Sequence, residues 1–138
     1  MNDENIVEIK NLDHFYGQGS LKKQVLFDIN LELKAGEVII LTGPSGCGKT
    51  TLLTLIGGLR EVQKSKDKSS PQSNLKVVGR ELAGASKNRL VETRRNIGYI
   101  FQAHNLLKCL TARQNVQMSL ELHSDLGKEK VKSQAIAM

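Results

Sequence analysis

Nine consecutive residues constrain this chain more than any others: Gly43-Pro44-Ser45-Gly46-Cys47-Gly48-Lys49-Thr50-Thr51 satisfies the pattern G-x-x-x-x-G-K-[ST]. The flanking residues matter as much. Val38, Ile39, Ile40 and Leu41 form a short apolar run of the kind buried on both faces of a parallel sheet. Leu52, Leu53, Leu55, Ile56 and Leu59 then recur at helical spacing, and Gly57-Gly58 marks where that helix should end. A strand passing through a glycine-rich turn into a helix aims the helix N-terminus at whatever the turn holds. Glycines at 43, 46 and 48 permit backbone angles closed to other residues, so successive N–H groups can turn inward around an anion. Lys49 then serves as a mobile point charge for the β- and γ-phosphates of a nucleotide, Thr50 sets its hydroxyl on Mg²⁺, and Thr51 is placed to reach the α-phosphate. The expected cofactors are ATP, or a closely similar nucleotide, and Mg²⁺. Cys47 is read as a small residue filling the loop, with no chemistry assigned, against the alternative of a thiol made reactive by a helix N-terminus.

Other segments supply the surroundings. Ile6 to Leu12 reads as a first strand, with Ile6, Glu8 and Lys10 on one side and Val7, Ile9 and Asn11 on the other. In the stretch Val25 to Leu33, Phe27, Ile29, Leu31 and Leu33 alternate with Asp28, Asn30 and Glu32, which predicts a half-buried strand. Residues 61–74 are polar, basic and broken by Pro71, and read as an exposed loop. A short strand over Leu75 to Val78, a charged surface helix over Lys87 to Arg95 and a β run over Ile97 to Phe101 follow. Thr111 with Gln114 three residues later fits a capping box at a helix start, after which Ala112, Val116 and Leu120 share a face. Lys128 to Met138 begins a further helical pattern.

Composition removes several classes of function. A length of 138 residues suits one domain, and the longest apolar run is far below the roughly 20 residues that span a bilayer. The acidic N-terminus MNDENIVEIK has no secretory character, so a cytosolic location is expected. Cys47 and Cys109 are too few for a disulfide framework and lack CxxC spacing, so both are read as free thiols. The net charge of +6 is uneven, with 15 Lys/Arg against 7 Asp/Glu in residues 60–138. Those charges are scattered, and aromatic residues at 4% leave little for a base-stacking platform, so nucleic acid is not an expected partner.

The strand, then GPSGCGKTTLL, then IGYIFQ some fifty residues later, resembles the nucleotide-binding subunits of ABC transporters. Three stretches carry the likeness. Ahead of the loop, His14-Phe15-Tyr16-Gly17 places Tyr16 where the family has an aromatic that stacks on adenine; the alternative is a strand-end aromatic closing the small sheet. The loop itself is the second. The third, Arg94 to Gln102, looks like the Q-loop, and the resemblance implies that Gln102 touches Mg²⁺ and the attacking water and that the segment after it docks on a transmembrane subunit. The run from Gly79 to Leu122 looks most like the exporter branch that includes lipoprotein-releasing, macrolide-export and DevA-like ATPases.

The likeness spans nearly the whole chain but only the N-terminal half of a family domain. There is no LSGGQ-type signature, no apolar run ending in Asp-Glu after the loop, and no counterpart of the late switch histidine. The resulting expectation is an α/β fold: a partial P-loop NTPase core with parallel strands, an N-terminal antiparallel β part, and the start of the helical subdomain over 103–138. The implied function is Mg-ATP binding as the energy-coupling ATPase of an ABC exporter, cytoplasmic and peripheral on the inner face of the plasma membrane. Implied partners are a permease subunit and a second nucleotide-binding subunit. Alternatives are a truncated fragment that does not hydrolyse ATP, and a small P-loop kinase, against which Tyr16 and IGYIFQ speak.

Overall fold

The computed structural model describes residues 5–63, 72–101 and 106–121. The chain divides into two compact units, residues 1–97 and 98–138. In the first, strands β1 (Asn5–Tyr16), β2 (Lys23–Lys34), β3 (Asn74–Val77) and β4 (Arg80–Glu81) form an antiparallel sheet in the order β2-β1-β3-β4. Helix α1 (Lys49–Ile56) follows the glycine-rich loop, and α2 (Lys87–Arg94) follows the β4 hairpin. The core gathers Val7, Ile9 and Leu12 from β1, Leu26 from β2, Leu75 and Val77 from β3, and Leu52 and Leu55 from α1, so the helix behind the loop is seated on the sheet by apolar burial.

Both long strands change phase partway along. Val7 and Ile9 are buried, but the next buried positions of β1 are Leu12 and His14, because the β1–β2 register shifts between Ile9 and Leu12, where Asn11 takes φ 48°. In β2, Asp28 takes φ 44°, Leu26 is buried and Phe27 is exposed, so the simple alternation expected from Phe27 to Leu33 breaks there. These are bulges, and Asn and Asp are the non-glycine residues that best tolerate left-handed backbone. A bulge frees backbone groups, which need partners. Asn30 Oδ1 accepts from the Asn11 N–H at 2.9 Å, Asp13 Oδ1 accepts from the Asp28 N–H at 2.9 Å, and Ser73 Oγ donates to the Asn11 carbonyl at 2.9 Å.

The β3–β4 hairpin turns on Val78 and Gly79, at φ 49° and 69°, the sign pattern of a two-residue type I′ turn. Glu81 Oε1 accepts from the Leu75 and Ala83 N–H groups at 3.2 and 2.8 Å, and Asn74 donates to its other oxygen. A β-branched residue is poorly suited to positive φ. Val78 is exposed and its N–H bond to the Ile6 carbonyl needs no particular side chain, so Val78→Asn is expected to raise stability by about 1 kcal/mol, read as a higher urea midpoint with an unchanged slope.

Helix boundaries agree with the local signals. Past α1, the Gly57 N–H donates to the Leu53 carbonyl and Gly58 takes φ 63°, ending the helix at the two glycines. Ser86 caps α2 by accepting from the Arg89 N–H. In the second unit, α3 (Ala112–Glu121) begins with the reciprocal pair of a capping box: the Thr111 N–H donates to Gln114 Oε1 at 2.8 Å and the Gln114 N–H to Thr111 Oγ1 at 3.3 Å. Val116 and Leu120 on that helix are half-buried, whereas Ala112 is exposed. The helical pattern expected over 128–138 lies outside the described residues.

Three expectations need correction. Residues 38–41 lie in no sheet, and Val38 and Ile40 are 91% and 82% exposed. The run Ile97 to Phe101 likewise forms no strand, and Ile100 and Phe101 are exposed. A strand buried on both faces requires neighbours for its N–H and C=O groups, and among the described residues none pairs with either run. Parallel pairing there is confined to the isolated bridge Val62–Ala83. The stretch 61–74 is not uniformly an exposed loop: Val62 and Ser73 are buried and Asn74 begins β3, while 64–71 lies outside the described residues. The architecture is therefore a partial α/β P-loop NTPase core in which the antiparallel part and the helix behind the loop are assembled.

Candidate nucleotide site

The loop from Gly43 to Gly48 is irregular and leads directly into α1. Gly48, the N-cap, has φ 97°, and a Cβ placed on it would come within 2.7 Å of Leu26 Cδ2 and 3.2 Å of the Val25 carbonyl oxygen. Only glycine satisfies both the angle and the close approach to β2. Among the described residues no side chain caps this helix start, so its first-turn N–H groups, which have no partner within the helix, face the loop with the positive end of the helix dipole.

Lys49 reaches back across the loop. Its Nζ donates to the carbonyls of Gly43 and Pro44 at 2.6 and 2.7 Å and lies 3.5 Å from Cys47 Sγ. The ammonium is thus held by the loop's own backbone, and a bound anion would offer its oxygens in place of these acceptors. Thr50, in the first turn, is exposed. The donor set fits Mg-nucleotide: backbone N–H groups and an ammonium for phosphate, and a hard hydroxyl oxygen for Mg²⁺, which commonly takes one or two protein ligands together with substrate phosphates. Among the described residues no group of three or more His, Cys, Asp or Glu side chains forms a metal cage.

Thr51 is only 8% exposed, and its Oγ1 lies 3.1 Å from the Tyr16 hydroxyl. The end of β1 and the first turn of α1 therefore meet through these two residues. Tyr16 is half-buried, with the His14 ring edge-on at 5.1 Å between centroids and the Arg60 guanidinium carbon 5.1 Å from its ring centroid. Gln63 brackets the preceding residue: its Nε2 donates to the Phe15 carbonyl at 2.9 Å and its Oε1 accepts from the Phe15 N–H at 3.2 Å. The sequence reading does not single out Arg60 and Gln63, because Arg60 borders and Gln63 lies within the segment 61–74 that reads as solvated loop. His14, two residues before Tyr16 on the same strand face, was visible as part of HFYG. Gln102 lies outside the described residues.

His14 is 4% exposed and its Nδ1 has no partner among the described residues. Burial first, and the nearby Arg60 charge second, lower its pKa below 6.5. The unfolded chain takes up a proton as pH falls through about 6.5 while the folded chain still resists it. Stability is therefore unaffected by this group well above that value and declines below it until the folded pKa is reached. Urea unfolding from pH 7 to pH 5 should show this decline, and His14→Gln should flatten it.

The ABC transporter family profile matches residues 26–137. The chain is 37% identical over 112 residues to the lipoprotein-releasing system ATP-binding protein LolD 2 of Rhodospirillum rubrum, covering 80% of this chain and 45% of that protein. It is 37% identical over 115 residues to the macrolide export ATP-binding/permease protein MacB of Aggregatibacter actinomycetemcomitans, covering 83% of this chain and 17% of that protein. The chain thus spans less than half the length of either relative. Its fold matches the dimeric ATP-binding cassette MJ0796 bound to ADP and Pi with a TM-score of 0.79 at 29% identity, covering 95% of this chain and 54% of the cassette. With the family profile matching most of the chain and the fold matching a solved cassette, this protein belongs to the ABC transporter family, in its ATP-binding domain.

Proposed function

We propose that the chain binds Mg-ATP at residues 43–51 and does so as part of the energy-coupling ATPase of an ABC exporter. The observation that carries this reading is the uncapped start of α1 facing a loop whose carbonyls already hold the Lys49 ammonium. In this assignment the loop N–H groups and Lys49 bind the β- and γ-phosphates, Thr50 contributes a hydroxyl to Mg²⁺, Thr51 lies beside the α-phosphate, and Tyr16 stacks on the base. Gly43, Pro44, Ser45, Gly46, Cys47 and Gly48 form the cradle. The resemblance of Arg94 to Gln102 to the Q-loop would give the Gln102 amide a role toward Mg²⁺ and the attacking water. Mg²⁺ supplies charge neutralisation at the transferring phosphoryl group.

The exporter assignment draws on the relatives described as lipoprotein-releasing and macrolide-export proteins, and on a permease region named in one of them. It implies a transmembrane permease partner, a second nucleotide-binding subunit, and work at the cytoplasmic face of the plasma membrane. No helix among the described residues is long and apolar enough to cross a membrane. A second reading, nucleotide binding without turnover, is favoured by the exposed apolar residues 38–41, which pair with no strand among the described residues. Titration calorimetry with Mg-ATP, with phosphate release assayed beside it, tests both. Saturable, Lys49-dependent binding supports the assignment, turnover separates the readings, and no binding by the folded chain refutes both.

A further inference from the structure

The segment leaving the P-loop helix returns to the end of β1. After α1 closes at Gly57 and Gly58, Arg60 lies over the Tyr16 ring, and Gln63 exchanges two hydrogen bonds with the Phe15 backbone, one donated and one accepted, as a paired strand residue would. The other end of the same helix meets Tyr16 through Thr51. The ring is thus gripped from both ends of α1. A lone aromatic at a strand end would rotate and drift; with its hydroxyl beside Thr51, the His14 ring packed against it and the Arg60 guanidinium over it, the Tyr16 ring is held in place before any base arrives.

We propose that Arg60 and Gln63 are positioning residues for the base-stacking ring, tying the placement of Tyr16 to the helix that carries the phosphate loop. Neither contacts the phosphates. They act on the base share of nucleotide affinity and leave the phosphate share alone. The inference rests on the reading of Tyr16 as the base-stacking residue.

The test compares the affinities of Mg-ATP and Mg-tripolyphosphate for the wild-type chain, Tyr16→Ala, Gln63→Ala, Arg60→Gln and Arg60→Lys. Gln63→Ala and Arg60→Gln should each weaken ATP binding by about three- to tenfold, the scale of one modest contact, with tripolyphosphate unchanged. Arg60→Lys, which keeps the cation, should retain most of the affinity. In a Tyr16→Ala background neither substitution should matter further, a coupling that general destabilisation would not produce. ATP binding at the wild-type level in both variants, equal losses for both ligands, or full additivity with Tyr16→Ala would overturn the proposal. A wild-type chain that binds ATP no more tightly than tripolyphosphate overturns the reading of Tyr16, and this inference with it. Binding of both ligands that survives Lys49→Ala, measured beside these variants, refutes the P-loop assignment itself.

Discussion

Lys49→Ala is expected to weaken Mg-ATP binding by about 100-fold or more, equivalent to roughly 2.7 kcal/mol, while leaving the unfolding midpoint nearly where it was. The two effects separate because the lysine does different work in them. Toward the fold, its ammonium donates to the Gly43 and Pro44 carbonyls at a site open to water. When it is removed, water donates to those carbonyls instead at little net cost, within about 1 kcal/mol. Toward a triphosphate, it is the one side-chain cation of the loop, and charge-assisted bonds to phosphate are roughly twice as strong as neutral ones. Calorimetric titration beside a thermal melt reads both quantities on the same sample. An unchanged affinity would show that anion binding resides elsewhere.

Leu55→Ala should be the most damaging single truncation in α1. Leu55 is 0% exposed and belongs to the cluster joining α1 to the sheet. Comparable deletions cost about 2 to 5 kcal/mol, a large part of the roughly 5 to 15 kcal/mol that holds a domain together. Urea unfolding followed by far-UV circular dichroism measures the loss. Leu53→Ala is the control: Leu53 is on the same helix but exposed, so its truncation should change stability by no more than about 0.5 kcal/mol. Equal effects at the two positions would mean that α1 is not seated through Leu55.

What was legible in the sequence was what depends on neighbours in the chain. Gly57-Gly58 ends α1, Gly79 sits in the β3–β4 turn, and Thr111 with Gln114 builds a capping box, each within a few residues. The phosphate loop was legible for the same reason, since its geometry is carried by its own glycines and the helix that follows. The apolar character of residues 38–41 was equally plain, but strand pairing requires a neighbour that periodicity alone does not name, and among the described residues there is none. The bulge at Asn11 was hidden because one of its partners, Ser73, lies 62 residues along the chain. Arg60 and Gln63 were hidden because a polar side chain gives no sign in the sequence of whether it points to water or back onto a strand. Tyr16 stands out in the sequence only through family resemblance; in the fold its hydroxyl lies 3.1 Å from Thr51 Oγ1.

The bulge at Asn11 works as a reading-frame shift in three dimensions. Before it, the odd-numbered residues Val7 and Ile9 point into the core; after it, the even-numbered Leu12 and His14 do. An unbroken alternation from Val7 would have carried Phe15 inward and turned Tyr16 outward. With one residue looped out, Tyr16 falls into phase with His14 and reaches Thr51. The choice of which aromatic meets the phosphate-loop helix is therefore made five residues upstream, at an asparagine that touches neither.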